Sequence, residues 1–204
     1  FEAITAYRND YIKARGVDEV AIALQATQGN SVFAYRFDWD ELPTVLGTDL
    51  GKLPGAAHAM EIPFVFNRFS DSFLNSLLYN SDNIPGRDAL SASMSSYWAE
   101  FAYNGSPGKG RRGDLPQWKP WGNEGPASAT YIVLDSAGGG GIRMSADAIT
   151  LEALHTRLLA DLAFPDETSK SRMYDCLFRN TPHWKRQEFE ALGGVVCEDP
   201  MFAY

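Results

Sequence analysis

The chain has 204 residues, of which 45% are hydrophobic and 22% charged, and its formal net charge is -8. That much apolar material excludes a wholly disordered chain, because burial can offset the entropy of ordering. The acidic balance excludes the basic footprint of a nucleic-acid binder and the polybasic patch of a membrane-surface protein, and no apolar run reaches the ~18 residues of a transmembrane helix.

Residues 3–15 mix apolar and polar positions at near-helical spacing, with Gly16 predicted as the C-cap. Asp18 is predicted to cap a second helix over 18–28, which Gly29-Asn30 then breaks. Residues 31–37 (SVFAYRF) read as a strand, because aromatic and β-branched residues lie between turn formers. The stretch 38–60, punctuated by Pro43, Gly47, Gly51, Pro54 and Gly55, reads as a long irregular loop, of a length that is unusual in compact domains and often functional.

The apolar run 62–66 contains Pro63 and so makes a poor central strand. A short helix is expected over 71–80. The strongest helical periodicity spans 86–103, where Leu90, Met94, Tyr97, Trp98, Phe101 and Ala102 recur at three- and four-residue steps. A Gly/Pro-rich loop follows. Asn104-Gly105-Ser106 is formally a glycosylation sequon, but Pro107 and the glycines read as a turn. Residues 130–135 (TYIVLD), the glycines 138–141 and Ile142-Arg143-Met144 read as strand, turn and return strand. A helix is expected over 148–163, with Leu151, Leu154, Leu158, Leu159 and Leu162 on its apolar side, and one or two more over 167–191. Cys176 and Cys197 are compatible with a disulfide and equally with two thiols.

The chain is not a βαβ alternation. One strong strand, a long loop, covering helices and a hairpin suit the terminal edge of a larger α/β sheet.

The chain has three histidines. His155 falls in the Leu-rich helix 148–163 and reads as a core-edge residue. His183, in Asn-Thr-Pro-His-Trp, reads as part of a helix-entry turn. No histidine pair has metal-ligand spacing, and neither HExxH nor CxxC occurs, so no metal is expected. His58 differs: it lies in the long loop after the strand, among the small residues Gly55, Ala56, Ala57 and Ala59. A reachable imidazole on a loop anchored by a strand suits a general base, although a packing or capping histidine fits the same position. A base needs a nucleophile, and the elbow G-x-S-x-G is absent. Gly29-Asn30-Ser31 lacks the last glycine and precedes a strand rather than a helix.

The segment GAAHAMEIPFVF (55–66) resembles the histidine segment of the type-B carboxylesterases, the cholinesterase and carboxylesterase group of α/β-hydrolases. That segment reads roughly Gly-x-x-His-Gly-x-Glu-(aliphatic)-x-(aromatic)-Val-Phe. Gly55, His58, Glu61, Ile62, Phe64, Val65 and Phe66 match it, and Ala59 replaces the glycine after the histidine. ALSASMSSYWAEFAYNGSPG (89–108), LPQWKPW (115–121) and TYIVLD (130–135) are similar to the family's late helix, Trp-Pro segment and terminal hairpin, so the likeness runs over about 29–145.

The resemblance implies an α/β fold. The whole chain, 1–204, would be the C-terminal portion of one α/β-hydrolase domain, holding edge strands of the central sheet, the histidine loop and covering helices. It implies that His58 is the catalytic base of a serine esterase and that Glu61 supports it by hydrogen bonding. No cofactor is implied. The serine elbow, oxyanion hole and acid would come from an N-terminal segment of the same enzyme, the substrate being a small-molecule ester. A different class is also open: some cholinesterase-like domains are binding or adhesion modules without the serine.

Overall fold

The computed structural model describes residues 2–52, 56–69, 77–122, 124, 127–128, 130–164 and 166–198. By its internal packing the chain divides into two compact units, Phe1–Ala23 with Ala148–Tyr204, and Leu24–Asp147.

Gly16 does not end the first helix. Helix α1 (Glu2–Lys13) runs into a π-helical turn, Ala14–Asp18, and then into α2 (Glu19–Gln28). The widened turn, closed by the Glu19 N–H on the Ala14 carbonyl, carries the glycine without a break. Asp18 is therefore not an N-cap. Its buried carboxylate takes hydrogen bonds from Lys13 Nζ and from the backbone N–H of Ile149, each at 2.7 Å.

The rest of that unit is helical. Helix α5 (Leu151–Ala160) is shorter than expected and starts at Thr150, whose hydroxyl accepts the Ala153 N–H. Helix α6 (Glu167–Phe178) starts at Asp166, which accepts the Ser169 N–H. Helix α7 spans Arg186–Ala191. Leu151, Leu154 and Leu158 join Tyr7, Tyr174, Leu177 and Phe178 in one core, whereas Leu162 lies past the helix end in water. Cys176 and Cys197 form a disulfide with Cα atoms 4.9 Å apart. Two hydrogen bonds bring the cysteines together: Val195 N–H donates to Ser171 Oγ and Cys197 N–H to Asp175 Oδ2.

The other unit holds a three-stranded mixed sheet. Strand β1 (Tyr35–Phe37) pairs in parallel with β4 (Thr130–Leu134), which pairs antiparallel with β5 (Arg143–Ala146). The register sets Tyr35 opposite Ile132 and Ile132 opposite Met144. Strand β1 is shorter than the expected 31–37. Gly29–Ser31 forms a 3-10 turn, and Val32 gives its carbonyl to Trp121 rather than to a ladder. The predicted hairpin is present, with its glycine turn closed on Ser136 by the Gly139 and Gly141 N–H groups. A Cβ at Gly139 would sit 2.4 Å from the Asp135 carboxylate, so a larger residue there would require that side chain to shift.

The loop 38–60 is less irregular than expected. Thr44–Val45 (β2) and Thr48–Asp49 (β3) form a small hairpin, turned by Leu46 and Gly47 at φ 50° and 81°. The run 62–66 is neither strand nor coil: Ile62–Val65 is a one-turn helix, α3, with Pro63 in the first turn, where its missing N–H costs nothing. The helix expected over 71–80 falls mostly on 71–76, outside the described residues. The long helix α4 (Ile84–Asn104) ends where expected, at Gly105 with φ 70°. Asn104 is the last helical residue of the sequon, and its side chain bonds Glu100. Leu90, Met94 and Tyr97 of α4 are buried with Trp39, Phe64, Trp118, Ile132 and Leu134. Phe101 and Ala102, expected on the same apolar side, lie exposed.

Candidate active site

The unit with the sheet also carries His58, in a chain of short turns. The Met60 N–H bonds the Ala57 carbonyl at 3.1 Å, so His58 is the second residue of a β-turn and Ala59 the third. Ala59 has φ 69°, the left-handed region a glycine enters freely and an alanine does not. A second turn follows, with Ile62 N–H on the Ala59 carbonyl at 3.3 Å. Glu61 then stands at the N-terminal boundary of α3, its carbonyl accepting the Phe64 and Val65 N–H groups at 3.0 Å each.

This geometry gives a physical reason for glycine after the histidine in the resembling motif: the third position of the turn needs a positive φ. His58 itself is exposed to solvent. Among the described residues no side chain is hydrogen-bonded to its imidazole, neither a serine nor a carboxylate. Glu61 is half-buried, and its charge reaches Tyr35 of β1, whose hydroxyl is held above its ordinary value first by burial and then by that carboxylate. Gly55 lies outside the described residues.

Phe64 is the anchor of the segment. It is fully buried and packs with ring centroids 5.0 Å from both Phe37 and Trp39. Phe64 and Trp39 are thus core residues, whereas Phe66 is 73% exposed. Ile62, Pro63, Phe66 and Arg68 line an open depression of about 460 Å³ beside the histidine turn.

Three residues that brace the segment were not singled out by the sequence. Ser91 of α4, fully buried, donates to the Phe64 carbonyl at 2.8 Å and lies 3.0 Å from Asn67 Oδ1. Ser95, one turn later, donates to the Val65 carbonyl at 2.7 Å. Asn67 leaves α3 with φ 47°, a conformation asparagine tolerates. The available signal was a serine pair four residues apart, interrupting the apolar face of a strong helix.

The other two histidines lie in the helical unit. His155 is buried, with Nε2 2.8 Å from Glu188 Oε2, as a core-edge histidine should be. The turn hydrogen bond at His183 comes from its backbone N–H to Thr181 Oγ1 at 3.2 Å, and its ring lies 6.0 Å from that of His155. Among the described residues no cluster of three or more His, Cys, Asp or Glu can hold a metal ion, and no helix is long and apolar enough to cross a membrane.

The sheet-bearing unit thus combines a small mixed sheet with covering helices. Residues 2–140 match the model of the carboxylesterase family, and this chain belongs to that family. Among solved structures it is similar to a Geobacillus stearothermophilus carboxylesterase, with 28% identity and a TM-score of 0.43, over 62% of this chain and 22% of that enzyme. This chain therefore spans under a quarter of that enzyme's length. No curated protein matches it.

Proposed function

We propose that this chain supplies the general base, His58, of a serine-dependent carboxylic ester hydrolase, as the C-terminal portion of its α/β-hydrolase domain. The observation that carries the reading is the presentation of His58: an exposed imidazole on a turn leading into α3, which the buried Ser91 of α4 bonds, within the family-matched residues. An N-terminal segment of the same enzyme supplies the serine on its G-x-S-x-G elbow, the oxyanion-hole N–H groups and the acid. Two features support a companion segment. Among the described residues β1 pairs with β4 on one side only, and Ile62 and Phe66 expose apolar surface next to the histidine turn.

The chemistry follows from these parts. The serine Oγ attacks the ester carbonyl carbon while its proton passes to His58. The tetrahedral intermediate collapses, the C–O bond to the leaving group breaks, and His58 returns the proton to the departing alkoxide. Water then attacks the acyl-enzyme with the same proton exchange. The acid on the companion segment orients the imidazole and stabilises the imidazolium. Glu61 is too close in sequence to His58 for that part, and lies toward Tyr35 as a supporting group.

The test is hydrolysis of p-nitrophenyl butyrate by the chain alone and combined with the segment that precedes it. The chain alone is expected to be inactive and the combination active. Activity that survives His58→Ala in the combination would overturn the assignment.

A further inference from the structure

The hydrogen bonds around His58 form one uninterrupted ladder that ends on α4. Met60 N–H closes on Ala57, Ile62 N–H on Ala59, Phe64 and Val65 N–H on Glu61, and Phe66 N–H on Ile62. The last carbonyls of α3 have no further helical turn to accept from. Val65 O receives the Ser95 hydroxyl at 2.7 Å, and Phe64 O receives the Ser91 hydroxyl at 2.8 Å beside a longer bond from the Asn67 N–H at 3.3 Å. Arg68 N–H on the Pro63 carbonyl at 2.9 Å closes the exit. A one-turn helix has almost no stability of its own, so its orientation is set by the buried Phe64 ring and by what holds its ends. Its entry is the strained turn at Ala59, and its exit is the left-handed Asn67.

We infer that Ser91 and Ser95 are positioning residues for catalysis: they hold the C-terminal end of α3 and through it set where the His58 turn places its imidazole. The inference rests on His58 being the general base. The serines act through α3 and touch neither substrate nor His58. Proton transfer tolerates little misplacement, and an error of about 1 Å can cost on the order of a hundredfold in rate. Their loss therefore acts on kcat and leaves KM unmoved.

Three variants test this, Ser95→Ala, Ser91→Ala/Ser95→Ala and Ser95→Thr, with His58→Ala as reference. Steady-state hydrolysis of p-nitrophenyl butyrate is measured in the active enzyme and normalised by burst titration, so that loss of folded sites does not count. Imidazole resonances are recorded on the histidine-labelled chain, whose three histidines are assigned by substitution. The expected result is about a ten- to hundredfold lower kcat per site for the double variant with KM within about twofold. Ser95→Ala alone is expected to give a smaller loss, and Ser95→Thr, which keeps the hydroxyl, to restore wild-type kcat. The His58 resonance should shift or split, with His155 and His183 unchanged. If the double variant fails to fold, Ser95→Ala carries the same readouts.

An unmoved kcat and an unmoved His58 resonance, with His58→Ala inactive, would overturn the positioning role and leave the base assignment standing. Activity retained in His58→Ala would overturn both.

Discussion

His155 Nε2 lies 2.8 Å from Glu188 Oε2, joining α5 to α7 inside the helical unit. The same carboxylate oxygen accepts the Tyr174 hydroxyl at 2.8 Å, and the other oxygen accepts Lys185 Nζ at 3.1 Å. Burial pushes the Glu188 carboxyl upward, but hydrogen bonds from Tyr174, Lys185 and His155 outweigh it and hold the group below its ordinary value of 4.5. Burial, with the hydrogen bond to Glu188, pushes the Tyr174 hydroxyl up to about 12.

Glu188 therefore stabilises the fold in its ionised form. Because its folded value lies below the unfolded one, the stabilisation is complete above about pH 4.5 and is lost as pH falls through the folded value. Glu188→Gln is expected to cost about 1–3 kcal/mol at pH 7. It should also flatten the fall of stability below pH 4.5. Urea unfolding at a series of pH values checks both, and an unchanged pH slope would show that the carboxylate does not carry this dependence.

The three histidines are expected to separate by role. His58→Ala should lower ester hydrolysis by at least about a thousandfold in the assembled enzyme. His183→Ala should leave most of the activity, and His155→Ala should cost stability before activity, since it empties a buried position beside Phe178. Burst-normalised kinetics with parallel melting curves measure the difference. Equal losses from all three would contradict the assignment.

Ala59→Gly is expected to stabilise the chain. An alanine at φ 69° carries about 1 kcal/mol or more of steric cost, and the extra unfolded-state entropy of glycine returns only part of it. The net expectation is roughly 0.5 kcal/mol, measured as a higher urea midpoint with unchanged slope. A lower midpoint would mean the turn is not strained at this residue.

The Cys176–Cys197 disulfide closes a loop over a sequence separation of 21 residues. In the chain-entropy description a loop of this size contributes about 3 kcal/mol, so Cys176→Ser/Cys197→Ser should melt several degrees lower. Reduction should have the same effect on the wild type and none on the double variant. Identical melting of all forms would show that the bridge adds no stability.

Local patterning went far along this chain. The periodicity ending at Gly105 located α4 within a few residues, and TYIVLD with its glycines located the β4–β5 hairpin. The family resemblance rested on a contiguous stretch around His58, legible because its residues are neighbours in sequence. The sequence misled at the first helix in two ways, one local and one through a distant partner. Gly16 read as a stop because glycine favours helix ends, yet the helix continues through a π-helical turn. Asp18 read as a cap, yet its carboxylate bonds Ile149.

Residue types and short spacings by themselves determined the long helix, the hairpin and the histidine segment, because turn chemistry and hydrophobic period act over a few residues. Only the tertiary structure decided the cysteine pairing, the tie between His155 and Glu188, and the bonds from the serines of α4 to the end of α3. Each is a bond between residues more than twenty apart, and such bonds form only where packing has already brought their elements together.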